Sequence, residues 1–195
     1  MAGKQVDPSK LKQVYYDVTK NMKLSMLVHL LKEEKSGLAM VFCNTRMNTD
    51  FVVKNLKANK IDAIAIHGGF TQNKRSRSLD FFNRAKFGVL VCTDVAARGL
   101  HIDNVSHIYN YEIPSDSKDY VHRIGRTARA GEAGKVINLL CEFDYDNFRR
   151  IQRDYSELSV EKMEKPHVER VIAIRVESSY GKKPFRSRKK TWRKR

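Results

Sequence analysis

The order of apolar runs and helical stretches predicts an α/β domain, a mostly parallel β-sheet flanked by helices on both faces. Two observations carry this. Short apolar runs alternate with longer segments of helical periodicity from residue 14 to residue 157. That is the pattern of strands joined by right-handed helical crossovers, which lay the helices over the sheet. The runs are also apolar at successive positions, as expected of strands buried from both sides.

In chain order, residues 14–19 predict a strand, and 23–35 a helix with its apolar stripe at 24, 27, 28, 30 and 31. Residues 38–43 form a buried strand, followed by a helix at 45–58 with apolar positions 47, 51, 52 and 56. A strand at 61–66 precedes a helix at about 71–83. A strand at 87–92 leads into the short segment 95–98, which Gly99 stops. Then come a strand at 105–109, a largely helical stretch at 117–129, a strand at 134–140 and a helix at 144–157. Residues 160–176 alternate weakly and suit either an extra strand or an extension. Residues 178–195 combine Gly181, Pro184, serines and dense charge, the composition of a tail without fixed structure when free. The expected division is a linker at 1–13, one domain at 14–158, an extension at 159–177 and a basic tail at 178–195.

A chain of 195 residues with 41% hydrophobic content is long enough for one core. Its net charge is +16, unevenly spread. Residues 182–195 hold nine Lys or Arg and no acid; setting those aside leaves 29 basic against 22 acidic residues. A polyanion is the natural partner, either nucleic acid or an anionic membrane surface. No run approaches the ~20 apolar residues of a membrane span, and residues 1–8 lack the apolar stretch of a secretory signal. Cys43, Cys92 and Cys141 are far apart in apolar runs, so they are expected as buried free thiols, with no metal site.

In an open parallel sheet, ligands bind beyond the carboxyl ends of the strands. The segments there are Asn44-Thr45-Arg46, then His67-Gly68-Gly69 with Gln72 and Arg75, then Thr93-Asp94 with Arg98-Gly99. Each has a structural reading as a helix cap or stop. Taken together they line one edge with helix N-termini, arginines and two residues without side chains. Such an edge suits a sugar-phosphate strand held by its backbone rather than by its bases.

The fourth segment holds Arg123, Arg126 and Arg129 at a spacing of three, with no carboxylate between His122 and Gly131. Three guanidiniums close together without a local counter-ion are either a solvated basic face or a site for phosphate oxygens, which match their planar fork.

These four segments, in this order, resemble motifs of the DEAD-box RNA helicases. Val41 to Arg46 resembles motif IV; His67-Gly68-Gly69 with Gln72 and Arg75 resembles motif IVa. Thr93 to Leu100 resembles motif V, and His122-Arg123-Ile124-Gly125-Arg126 with Arg129 resembles motif VI. The resemblance covers about residues 14–155 and is to the second, C-terminal, RecA-like domain, a three-layer α/β fold. It implies that Arg126 and Arg129 are catalytic arginine fingers for the γ-phosphate of ATP. It places Asp94, His101, His122 and Arg123 at the ATP site and domain interface, with His122 and Arg123 holding the motif in place. It assigns RNA-backbone contacts to Asn44, Gly69, Arg75, Thr93 and Arg98. Two positions depart from the family pattern. His101 stands where an Asp contacts the ATP ribose, and Gly69 where an Asp is common in motif IVa.

The chain contains no Gly-x-x-x-x-Gly-Lys-Ser/Thr loop and no Asp-Glu-Ala-Asp. The resemblance therefore implies half of an RNA-stimulated ATPase. ATP and Mg²⁺ would be held mainly by an N-terminal RecA-like domain, and this half alone is expected to be inactive and ligand-free. The implied partners are RNA and that N-terminal domain, with no membrane and a monomeric state. The implied location is the cytoplasm, or the nucleus or nucleolus in a eukaryote. Two other readings remain: a non-catalytic RNA-binding or partner-docking module, and half of a DNA-directed translocase. In the tail, cations interleaved with Phe185 and Trp192 suit either single-stranded RNA or a solubilising or localising role.

Overall fold

The computed structural model describes residues 11–34, 36–86, 88–100, 102, 105–128 and 133–176. Its strands are β1 (Leu11–Asp17), β2 (Leu38–Phe42), β3 (Ala63–Ile66), β4 (Val89–Cys92), β5 (Val105–Asn110), β6 (Gly134–Leu140) and β7 (Glu161–Lys162). Its helices are α1 (Lys23–Glu33), α2 (Arg46–Ala58), α3 (Gln72–Asn83), α4 (Asp94–Ala97), α5 (Ser117–Ile124) and α6 (Tyr145–Asp154). The strands form one sheet in the order β3-β4-β2-β5-β6-β1-β7, and all the pairings between them are parallel.

Period-two alternation divides the core into two layers. In β2, Ala39 and Val41 face the layer containing Leu27 of α1 and Val52 and Leu56 of α2. Met40 and Phe42 face the other, with Phe82 of α3, Tyr120 and Ile124 of α5, and Phe148 and Ile151 of α6. Both faces are thus covered, as the continuous apolar strands require. Among the described residues no helix is long and apolar enough to cross a membrane, and Cys43, Cys92 and Cys141 are buried free thiols.

Two elements differ most from the sequence expectation, and a third resolves an alternative it leaves open. β1 begins at Leu11, inside the expected linker, because the polar Gln13 is buried and accepts a hydrogen bond from Tyr120 Oη at 3.0 Å. α5 ends at Ile124, not at 129. Gly125 caps it, and the Thr127 hydroxyl draws the chain onto the Val105 carbonyl at 2.5 Å. For residues 160–176, which by sequence suit either an extra strand or an extension, the structure has an extension with two residues of strand. After two residues of pairing with β1 they run as an extended strap over α1 and α2. Met163, Val168 and Val171 pack on the core. Val171 N donates to Ser25 Oγ, and the Asn55 carboxamide clasps Ile174 through both its N–H and its C=O. The basic tail, residues 178–195, lies outside the described residues.

Candidate functional site

The strand order makes β3, β4 and β2 neighbours, so the segments at their carboxyl ends share one rim. Thr45 Oγ1 accepts from Asn48 N at 3.1 Å and caps α2; Thr71 Oγ1 accepts from Lys74 N and caps α3. These caps direct two helix N-termini to the rim. Next to them, an added Cβ on Gly68 would stand 3.1 Å from Arg46 Nη2, so Gly68 permits the Arg46 side chain to lie across the turn.

The turn itself is held by His67, which is fully buried. Its Nδ1 accepts from Gly69 N at 3.1 Å, so Nε2 carries the proton that it donates to Asp50 of α2, at 3.0 Å. Phe70 lies against the ring, and Lys74 Nζ sits 3.6 Å above the Phe70 centroid. Arg75 reaches sideways: its Nη2 donates to Ala96 O at 3.2 Å, while its buried Nε has no hydrogen-bond partner among the described residues. Thr93 is 8% exposed and precedes α4 without a side-chain cap bond. Gly99, at φ +72°, ends that segment in a conformation few side-chain-bearing residues tolerate.

Asp94, Arg98, His122, Arg123 and Arg126 line one shallow crevice beside the rim. Arg123 is its fixed member, at 1% exposure. Its Nε and Nη2 grip the Asp94 carboxylate at 2.6 and 2.7 Å. Nη1 donates to Asn110 Oδ1 and Glu112 O, and Nη2 also to Asn44 Oδ1. The guanidinium lies 4.9 Å from the Phe42 ring centroid. From Asn110 the hydrogen bonds continue to Asn138, Tyr120 and Gln13, a buried polar chain that crosses the sheet to β1. Burial at its centre pushes the Tyr120 phenol up to about 12, against the opposing pull of its Asn138 hydrogen bond.

The expected arginine trio is therefore not a patch without counter-ions. Arg123 is neutralised by a carboxylate 29 residues upstream. Arg126 turns the other way, donating from Nη1 to Leu100 O at 2.9 Å. Arg98 is ion-paired with Asp119, and His122 is largely exposed beside the same carboxylate. Asn44, expected on the outer track, has its carboxamide engaged at both ends inside the domain, by Arg123 and by Ile113 O. Arg129 and His101 lie outside the described residues.

Sequence reasoning missed Asp50, Asn110, Thr127 and Gly134. A Cβ at Gly134 would lie 2.5 Å from Thr127 Oγ1 and 2.7 Å from Ala128 N, so only glycine lets β6 start against the loop that carries Arg126. Nothing local marked Asp50 or Asn110, since their partners are far away in the chain.

A profile of the helicase conserved C-terminal domain matches residues 22–131. The chain belongs to this helicase C-terminal domain family. Among its relatives, a putative ATP-dependent RNA helicase of Caenorhabditis elegans is 44% identical over 73% of this chain and 29% of its own length. The human probable ATP-dependent RNA helicase DDX47 is 40% identical over 78% of this chain and 33% of its own. This helicase domain thus spans about a third of the length of the curated relatives it matches. Escherichia coli DEAD-box protein SrmB, in complex with regulator of ribonuclease activity A, superposes with a TM-score of 0.75 at 34% identity. That match covers 80% of this chain and 92% of the SrmB chain. The helicase domain is accordingly the C-terminal RecA-like domain of a DEAD-box protein.

Proposed function

We propose that this domain is the second half of an RNA-stimulated ATPase that separates short RNA duplexes. The observation that carries the proposal is the crevice, where a buried Arg123–Asp94 fork fixes the segment that presents Arg126 and His122 beside the rim. When an N-terminal RecA-like domain closes on this face with ATP, Arg126 approaches the γ-phosphate and stabilises the charge that develops as the phosphoryl group passes to water. Arg129 shares that task, and His101 and His122 border the nucleotide. An arginine in this role contributes about 10³–10⁵ in rate, or roughly 4–7 kcal/mol. The acids that hold Mg²⁺ belong to the other domain.

On the rim, the Gly69 turn, Thr93 and Arg98 meet RNA sugar-phosphate groups, and Arg75 braces the wall between α3 and α4. Asn44 supports this track from within by holding Arg123. Backbone contacts of this kind carry little sequence information. RNA and ATP both favour closure, so each strengthens binding of the other. The test is RNA-stimulated ATP turnover by a protein that joins this domain to its N-terminal partner. Arg126→Ala should abolish most turnover while RNA affinity without nucleotide stays close to that of the parent. Turnover near the parent level would refute the assignment.

A further inference from the structure

A cavity of about 880 Å³ opens on the α1 and α2 side of the sheet, separated from the crevice by Glu112, whose carbonyl holds Arg123. Leu24 of α1, Phe51 of α2 and Tyr111 after β5 form its floor. One wall is residues 170–173 of the strap, beyond the part of the chain that matches the family profile. The hollow therefore depends on the strap as well as on the helicase domain itself. Its size suits two or three bulky side chains.

Its mouth is apolar and cationic together. Phe143 is 66% and Ile172 90% exposed, two of the large hydrophobic side chains the fold leaves in solvent. Apolar groups gathered around a cavity mark a surface that another molecule covers. Lys20 Nζ stands 4.7 Å from the Phe143 ring centroid, and Arg170 has no acidic partner among the described residues. The acids on the same walls are already engaged. Asp144 is ion-paired with Lys23 at 2.5 Å, and Glu112 accepts from Asn44 N and from Asn48 Nδ2.

We propose that this cavity docks an acidic, amphipathic peptide segment of a protein partner. Leucine or aromatic side chains of the segment fill the floor, and its carboxylates meet Lys20 and Arg170 at the mouth. The chain's own tail is the wrong occupant, because its nine cations would face two more. RNA is also a poor fit, because the floor and the strap wall are largely apolar and give a run of phosphates little to pair with beyond Lys20 and Arg170 at the mouth.

The experiment is selection of random dodecapeptides displayed on phage against the full 195-residue chain, followed by fluorescence anisotropy with the enriched peptide. The expected enrichment is Leu, Phe or Trp flanked by Asp and Glu. Binding should be saturable and should weaken by at least about tenfold, or ~1.4 kcal/mol, in Arg170→Glu and in Ile172→Asp. Both side chains are exposed, so these variants fold, and unchanged thermal melts verify it. Enrichment of basic peptides, no enrichment, or binding indifferent to both variants would each overturn the proposal. So would a single-stranded RNA oligonucleotide whose affinity drops with Ile172→Asp by as much as the peptide's.

Discussion

Replacing Arg123 by alanine should cost far more stability than replacing Arg126, although both stand in the same motif. Arg123 makes five hydrogen bonds from a side chain that is 1% exposed. Its removal leaves the Asp94 carboxylate, Asn110 Oδ1 and the Glu112 carbonyl without that donor at a largely buried site. Breaking a buried ion pair from one side costs about 3–5 kcal/mol, against a total of about 5–15 kcal/mol for a domain. With a urea slope of about 2 kcal/mol/M, the unfolding midpoint should fall by about 1.5–2.5 M. Arg126→Ala gives up its bond to Leu100 O, worth about 1 kcal/mol, together with the other contacts of a half-buried side chain, and should move the midpoint by less than about 1 M. Arg123→Lys keeps the charge but loses the fork and should fall between the two. Urea titration of the three variants, followed by circular dichroism, decides the matter. Equal midpoint shifts for Arg123→Ala and Arg126→Ala would refute the division of the motif into an internal brace and an outward-acting arginine.

Gly134→Ala should destabilise by about 1–3 kcal/mol, because its Cβ meets the Ala128 amide at 2.7 Å. A thermal melt indistinguishable from the parent would show that the loop carrying Arg126 gives way freely. Asp50→Ala removes the acceptor that orients His67 and should raise the RNA concentration for half-maximal ATPase stimulation about fivefold, the equivalent of ~1 kcal/mol. Maximal turnover should change little; a drop in turnover with no change in RNA dependence would disprove a role in the Gly69 turn. His107 should make stability rise with pH. Burial, helped by Lys135 and opposed by Glu34, lowers its affinity for protons below the ordinary 6.5. The unfolded chain therefore binds more protons as pH falls through 6.5, and stability declines there. His107→Gln should flatten melting temperature against pH in that range, and an unchanged slope would exclude His107 as its source.

Where local rules decide, the sequence was legible. β2 and α2 were placed to within a residue, because an apolar run followed by Thr45 is both a strand and a cap. The rim segments followed from their positions after strands in a parallel sheet. What escaped depends on partners distant in the chain. The end of α5 is set by Thr127 meeting Val105, and the neutrality of Arg123 by Asp94. Asn55 falls outside the apolar stripe of α2, yet it is fully buried and clasps the strap 119 positions later. The strap's weak alternation suits strand and extension alike and does not show that Met163, Val168 and Val171 pack on the core.

The strap has one more consequence, for self-association. β1 pairs with β6 along all seven residues, but on its outer side β7 covers only Val14 and Tyr15, with one further bond from Met163 N to Tyr15 O. An uncovered strand edge is a template for pairing with another chain. A version of the domain cut after α6 would keep both core layers and still present that edge. Its sedimentation should shift toward larger species as concentration rises, while the strapped chain keeps a constant rate. Growth of larger species in the cut version alone would assign to two residues of pairing and an extended ribbon the guarding of this edge.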